Sequence, residues 1–316
     1  MNVFVQLHRE GLLSDPSFDR IQTTERSRFF TVFWETRLLM YLGVLLFTTG
    51  TGILIYKNID TIGHQVILVL IGLICIGSFY YCETRKQPLS KFKVAAPNGY
   101  FDYVLLLGCL TLITFITYLQ AQYFAFGDAF GLASFIPMII LFFCAYYFDH
   151  LGVLSLAITN LAAWMGIVVT PLKVLKDNDF NDSQIIVAGL VLGVFLVAAS
   201  EFSNRKNFKK HFSFTYLNFG MNIVFIATLA GMFHFNNYYV AWLAPLALIS
   251  YIFYRKAVNL NSFYIALMVT IYAYIGLSYV FVRLVDEYML ALLYFIGSGI
   301  GTIVLLVSLN RKLKKA

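Results

Sequence analysis

Long apolar stretches alternate with short polar segments along almost the whole chain. Ten windows of 17 to 23 residues contain no Asp, Glu, Lys or Arg, and about 20 apolar residues are enough for an α-helix to cross a bilayer. In lipid the backbone groups must be satisfied within each segment, so these windows predict helices. The pattern therefore predicts an all-α, polytopic membrane helix bundle of about ten transmembrane helices, at 38–56, 65–82, 103–119, 129–148, 151–170, 184–200, 213–233, 238–254, 260–282 and 288–309.

A more polar segment precedes the first window. In "VFVQLHRE", Phe4 and Leu7 share a helical face, and Gly11 ends the pattern. In "GLLSDPSFDRI" a second short helix restarts with a cap at Ser14 or Asp15 and a proline in its first turn. We therefore expect three parts: an amphipathic helix-turn-helix prelude at 1–37, the bundle at 38–310 and a basic tail at 311–316.

The distribution of basic residues tests this count of spans. With the N-terminus in the cytoplasm, the inner segments carry 19 Lys and Arg and the outer loops carry four. Cytoplasmic loops of membrane proteins are enriched in Lys and Arg, and a missed or extra span would scramble this asymmetry. Both termini are therefore predicted to be cytoplasmic. The prelude balances five Arg against five acidic residues, so nucleic acid is not an expected partner.

Asp149 and His150 are the only acidic, basic or histidine residues between 129 and 170. They lie at the midpoint of a 42-residue apolar stretch, where two helices must be joined by a turn. One interpretation is a turn at the cytoplasmic surface. The other is a pair drawn into the bundle, where ionisable residues are functional suspects.

Other candidate residues fall into two groups. Uncharged polar groups that could contact a ligand or a neighbouring helix, in or beside the spans, are Asn160, Asn218, Asn222 and Asn261; Asn218 and Asn222 share one helical face. Charged candidates at the cytoplasmic face, close to span ends, are Glu35, Arg37, Asp102 and Glu201. No predicted span holds a formal charge, which argues against transport coupled to protons or sodium.

Small residues and prolines bear on how the spans pack. Gly127 with Gly131, Gly189 with Gly193 and Gly297 with Gly301 have the spacing that lets helix backbones approach closely. Of the prolines, Pro137 and Pro245 fall inside predicted spans.

Composition narrows the chemistry further. Charged residues make up 12% of the chain, whereas a soluble domain has about 25%. The four cysteines lie in or beside apolar segments without a CxxC pair, which favours packing over a disulfide or a metal site. The loops show no catalytic or nucleotide-binding motif. We therefore predict no catalytic residue, no metal and no cofactor.

The N-terminal motif carries a family resemblance. The segment "EGLLSDPSFDRI", a short spacer and the span "YLGVLLFTTGTGILIYKN" resemble the bacterial membrane proteins of the domain-of-unknown-function 2157 family, at positions Leu7, Gly11, Leu12, Leu13, Ser14, Ile21, Leu42, Gly43 and Asn58. The resemblance implies a location in the bacterial inner membrane. It implies no established activity, and it transfers no functional residue.

Three functions remain open at this point. The first is a permease for a small or lipid-related solute that works without a charged coupling site. The second is a non-catalytic membrane protein that assists envelope assembly or regulation, with residues 1–37 contacting another copy or a cytoplasmic partner. The third is a membrane enzyme acting on lipid-linked substrates. In each case the lipid bilayer is the expected surrounding partner.

Overall fold

The computed structural model describes residues 14, 33–57, 63–127, 129–169, 183–285 and 287–315. Ten α-helices account for most of these residues, and none of them is in a strand. The helices are α1 Phe33–Lys57, α2 His64–Arg85, α3 Phe101–Tyr123, α4 Phe130–Tyr147, α5 Leu151–Val169, α6 Ser183–Lys206, α7 Ser213–His234, α8 Leu243–Asn259, α9 Phe263–Leu284 and α10 Tyr288–Lys315.

Each helix coincides with one predicted span, and the fold class is confirmed. Within the described residues, eight helices are long and apolar enough to cross a membrane, and α4 is a shorter apolar helix. The protein is thus a polytopic helical membrane protein. Most of the prelude predicted for 1–37 lies outside the described residues.

The chain divides into two units, residues 1–61 and 62–316. The described part of the first unit is essentially α1, which carries Glu35 and Arg37 close to its start. The second unit contains α2 to α10, mostly as antiparallel neighbours: α2 packs on α3, α4 on α5, α6 on α7 and α8 on α9.

Two apolar clusters form the interior of the second unit. One is built mainly from α2 to α6, with Leu141 and Leu154 fully buried. The other is built from α7, α8 and α9 around Met221 and Phe225. Because α7 contributes to both clusters, it is the most enclosed helix, with 61% of its span buried.

Glycines allow α6 and α7 to pack with their backbones in contact. A Cβ atom on Gly193 would lie 2.4 Å from a methyl carbon of Val224 and 3.0 Å from the carbonyl oxygen of Gly220. A Cβ atom on Gly220 would likewise lie 2.9 Å from the carbonyl oxygen of Gly193. The close approach predicted for Gly189 and Gly193 is confirmed, whereas a Cβ on Gly297 or Gly301 would meet nothing within 4 Å.

The start of α8 differs from the prediction. The apolar window begins at residue 238, but a 3-10 helix at Asn236–Tyr238 and a turn come first, and α8 begins only at Leu243. Tyr239 and Trp242 of this turn pack against the bundle, with Trp242 against Gly231, whereas Tyr238 and Val240 are exposed. The apolar character of this stretch therefore does not mark a helix. Pro245 consequently falls in the first turn of α8, where its missing amide is tolerated, while Pro137 does lie inside α4.

We predict that Gly193→Ala destabilises the protein by about 1–3 kcal/mol, because its new methyl group would overlap Val224 and the α7 backbone. Thermal unfolding of the detergent-solubilised protein measures this effect. Gly297→Ala is the matched control, since its methyl group meets open space. Equal melting temperatures for the two variants would contradict a packing role for Gly193.

Candidate functional site

Asp149 and His150 form the turn between α4 and α5. Asp149 has a left-handed backbone with φ of 57°, a conformation that Asp and Asn tolerate better than most residues. The amide of His150 donates to the carbonyl of Ala145 at 3.0 Å, which closes the end of α4. The pair therefore forms the turn of a helical hairpin.

The carboxylate of this turn is nevertheless buried and fully engaged. Asp149 Oδ1 lies 2.8 Å from Lys209 Nζ and 2.7 Å from His211 Nε2. Asp149 Oδ2 accepts the backbone N–H of Val94 at 2.5 Å. The side chains of Asp149 and Lys209 are each only 3% exposed. This carboxylate thus holds two other loops, one through a side-chain charge and one through a backbone amide.

Three connections meet at this carboxylate: residues 86–100 between α2 and α3, residues 148–150 between α4 and α5, and residues 207–212 between α6 and α7. We call them the loop cluster. A further backbone bond joins two of them, since the amide of Lys209 donates to the carbonyl of Lys91 at 2.9 Å. In an up-and-down bundle these alternate connections lie on one side, so the topology brings Asp149 and Lys209 together.

His150 has a local structural role beside the turn. Its Nδ1 accepts the backbone N–H of Val153 at 3.0 Å, so the imidazole caps the first turn of α5. The opposite ring nitrogen, Nε2, lies 3.8 Å from a carboxylate oxygen of Asp102, which is in the first turn of α3. His150 is buried. Asp102, a candidate from the sequence, is thus brought to the edge of the same site.

A second polar group lies on the rim of the loop cluster and was missed in the sequence. Lys86 forms an ion pair with Glu83 at 2.5 Å and donates a hydrogen bond to the hydroxyl of Tyr147. Its ammonium also lies 4.1 Å from the centre of the Tyr147 ring. Lys209 and His211 were also missed as site residues. A basic residue in a loop sequence indicates topology, but it does not show which acidic side chain it will contact.

Asn218 and Asn222 form a neutral hydrogen-bond ladder between α7 and α9. The Tyr264 hydroxyl donates to Asn218 Oδ1 at 2.7 Å, and the Tyr272 hydroxyl donates to Asn222 Oδ1 at 2.8 Å. The Asn222 side-chain amide in turn donates to Asn218 Oδ1 at 2.9 Å. Asn218 and Asn222 thus share one face of α7, as predicted, and this face joins α7 to α9. Joining helices is a common role of Asn within membranes.

The remaining candidates lie apart from this site. Asn160 is half-buried on α5, and Asn261 is exposed in the turn between α8 and α9 with φ of 47°. The apolar window 260–282 predicted that Asn261 lies within the ninth span. Because α9 begins at Phe263, Asn261 lies outside this helix. Glu201, near the end of α6, pairs with Arg205 at 2.9 Å and approaches Lys256 of α8 at 3.5 Å.

Two open apolar grooves flank the last turns of α4 beside the loop cluster. Groove A has a volume of about 580 Å³ and is lined by Phe142, Phe143, Tyr146, Tyr147 and Phe208, with Lys91 and Lys209 at its polar end. Groove B, on the other side of Phe143 and Tyr147, has a volume of about 630 Å³ and is walled by α2, α3 and α4.

The cysteines belong to the apolar interior. Cys75, Cys82, Cys109 and Cys144 are all buried free thiols. In the part of the chain that the structure describes, no three His, Cys, Asp or Glu side chains are arranged to hold a metal ion.

We predict that Asp149→Asn lowers the free energy of unfolding by about 3–5 kcal/mol, because it leaves the Lys209 ammonium buried without its counter-ion. Because Asn tolerates the same left-handed backbone as Asp, the loss of stability measures the removal of the negative charge. Thermal unfolding in detergent measures it, with Glu201→Gln as the control: that carboxyl is 44% exposed, so its ion pairs contribute about 0–1 kcal/mol.

A double variant separates the ion pair from other contacts. Asp149→Asn with Lys209→Met removes both buried charges, and we expect it to be more stable than Asp149→Asn alone. A double variant as unstable as the sum of the two single changes would contradict a direct coupling between Asp149 and Lys209.

Comparison with known proteins bears on the first half of the chain. No significant match is found among curated proteins or solved structures. One family model, described as "Predicted membrane protein (DUF2157)", matches residues 6–154. The match covers the prelude and continues past the hairpin turn, well beyond the N-terminal motif that carries the resemblance. The resemblance is therefore confirmed: over residues 6–154 the chain is similar to the DUF2157 family of predicted membrane proteins.

Proposed function

We propose that the protein is a permease-type membrane protein that carries a lipid-related amphiphile along α4 without ion coupling. The observation that carries the proposal is the pair of apolar grooves on either side of Phe143 and Tyr147, one of which ends at basic side chains. Such a groove suits a molecule that has an apolar chain and a polar head.

The placement of charge supports transport without ion coupling. In the described helices, Asp, Glu, Lys and Arg occupy only the first or last few turns. Transporters driven by protons or sodium commonly use polar or ionisable groups near the bilayer midplane. The polar side chains that join α7 to α9 are instead neutral amides and hydroxyls that bond to one another.

A second function is favoured by a separate observation. The buried carboxylate joins three loops into a fixed surface that carries exposed lysines. Such a surface suits a non-catalytic protein that binds a partner during envelope assembly or its regulation. This protein would bind its partner without moving lipid.

Reconstituted vesicles distinguish these functions. We predict that vesicles containing the protein move a fluorescent phospholipid between leaflets faster than protein-free vesicles, measured as the fraction of probe that dithionite bleaches. Phe143→Ala should slow this movement about two- to tenfold, the loss of one aromatic contact, because Phe143 lines both grooves.

Phe195→Ala on α6 is the matched control. Phe143 and Phe195 are both 61% exposed, and Phe195 does not line either groove. Identical bleaching with and without protein would reject lipid transport and favour the partner-binding function. Equal rates for the two variants would reject the grooves as the route.

We also propose that the protein lies in the bacterial inner membrane with the loop cluster in the cytoplasm. The basic character of this face supports the orientation. A cysteine at exposed Lys210 should resist a membrane-impermeant maleimide in intact spheroplasts and react after lysis. A cysteine at Arg283, in the last turn of α9 on the opposite side, should react before lysis. The opposite labelling pattern would invert the topology.

A further inference from the structure

Groove A combines an apolar wall with a cationic end. Phe142 and Phe143 lie on α4, and Phe208 approaches from the connection between α6 and α7. The ring of Phe208 stacks on that of Tyr146, with 6.0 Å between their centres. Tyrosines near a helix end are typical of the zone between hydrocarbon and headgroups. The wall thus faces the depth at which a lipid's acyl chain joins its headgroup.

The cations at the groove's polar end differ in availability. Lys209 is buried and paired with Asp149. Lys91, Lys93, Lys206 and Lys210 of the surrounding segments are exposed, and none of them forms an ion pair with another described residue. Two acids of the neighbouring segments are engaged elsewhere, Asp149 by Lys209 and Glu83 by Lys86. The polar end of groove A, which we call its rim, therefore presents uncompensated positive charge.

The rim is also held in place before any ligand arrives. The carbonyl of Lys91 accepts the amide of Lys209 at 2.9 Å, and the amide of Val94 is held by the carboxylate of Asp149 at 2.5 Å. The loop that carries Lys91 is thus fixed at this residue and three positions later. A fixed loop loses little conformational entropy when a ligand binds.

We propose that groove A is a binding site for an anionic phospholipid, with an acyl chain against the Phe142, Phe143 and Phe208 wall and the headgroup phosphate at Lys91, the exposed cation that lines the groove. The apolar wall distinguishes this ligand from a soluble anion, and the cationic rim distinguishes it from a zwitterionic lipid. The site deepens the proposed function by naming the class of lipid. Only the movement of the bound lipid across the membrane rests on that proposed function.

Lipid binding to the detergent-solubilised full chain tests the site. The probes are phosphatidylglycerol and phosphatidylcholine with identical chains, and native mass spectrometry counts the bound molecules. We expect preferential retention of phosphatidylglycerol. Lys91→Gln should weaken its binding about fivefold, since one cation close to an anionic lipid contributes about that much. Arg255→Gln is the control, because Arg255 is an exposed cation on α8 outside the groove.

Competition identifies which part of the lipid is recognised. Glycerol 3-phosphate, which lacks the chains, should displace little phosphatidylglycerol. Full displacement, equal retention of both lipids, or equal losses in Lys91→Gln and Arg255→Gln would each overturn the proposal. Selective phosphatidylglycerol binding by a protein that moves no lipid would uphold the site and reject transport. Lipid movement without selective phosphatidylglycerol binding would uphold transport and reject the site.

Discussion

The buried carboxylate of Asp149 is the constraint on which the arrangement of the loop cluster depends. A carboxylate that is 3% exposed is stable only if its charge is compensated and its oxygens accept hydrogen bonds. Lys209, His211 and the amide of Val94 satisfy both requirements. These partners come from two other connections of the loop cluster, so the same contacts that solvate the charge also hold together the ends of six helices, α2 to α7.

The interior of the bundle is held together differently. Between α7 and α9 the polar contacts are neutral, and between α6 and α7 the backbones meet at Gly193 and Gly220. Neutral hydrogen bonds and close glycine contacts avoid the cost of a charge in lipid. Formal charge is therefore confined to the ends of the described helices, and the only strongly buried ion pair among them lies in the loop cluster.

The helices could be predicted from the sequence because lipid imposes one rule on every span. The same rule failed at residues 238–242, since this turn is as apolar as a helix although only Tyr239 and Trp242 pack against the bundle. The position of Asp149 in a turn also followed from the pattern. Its partners did not, because Val94 acts through its amide and Lys209 is one of many loop lysines. Only the folded arrangement, in which α4 and α6 end on the same side of the bundle, shows which lysine reaches the carboxylate.

The separation of these partners along the chain has a consequence for biogenesis. Asp149 leaves the ribosome well before His211, which lies 62 positions later. Until α6 and the segment after it are made, the hairpin of α4 and α5 carries a carboxylate without its cations. The turn must then stay hydrated at the membrane surface. The ion pair of Asp149 with Lys209 can form only after the residues that follow α6 have been made, so the loop cluster is completed late in synthesis.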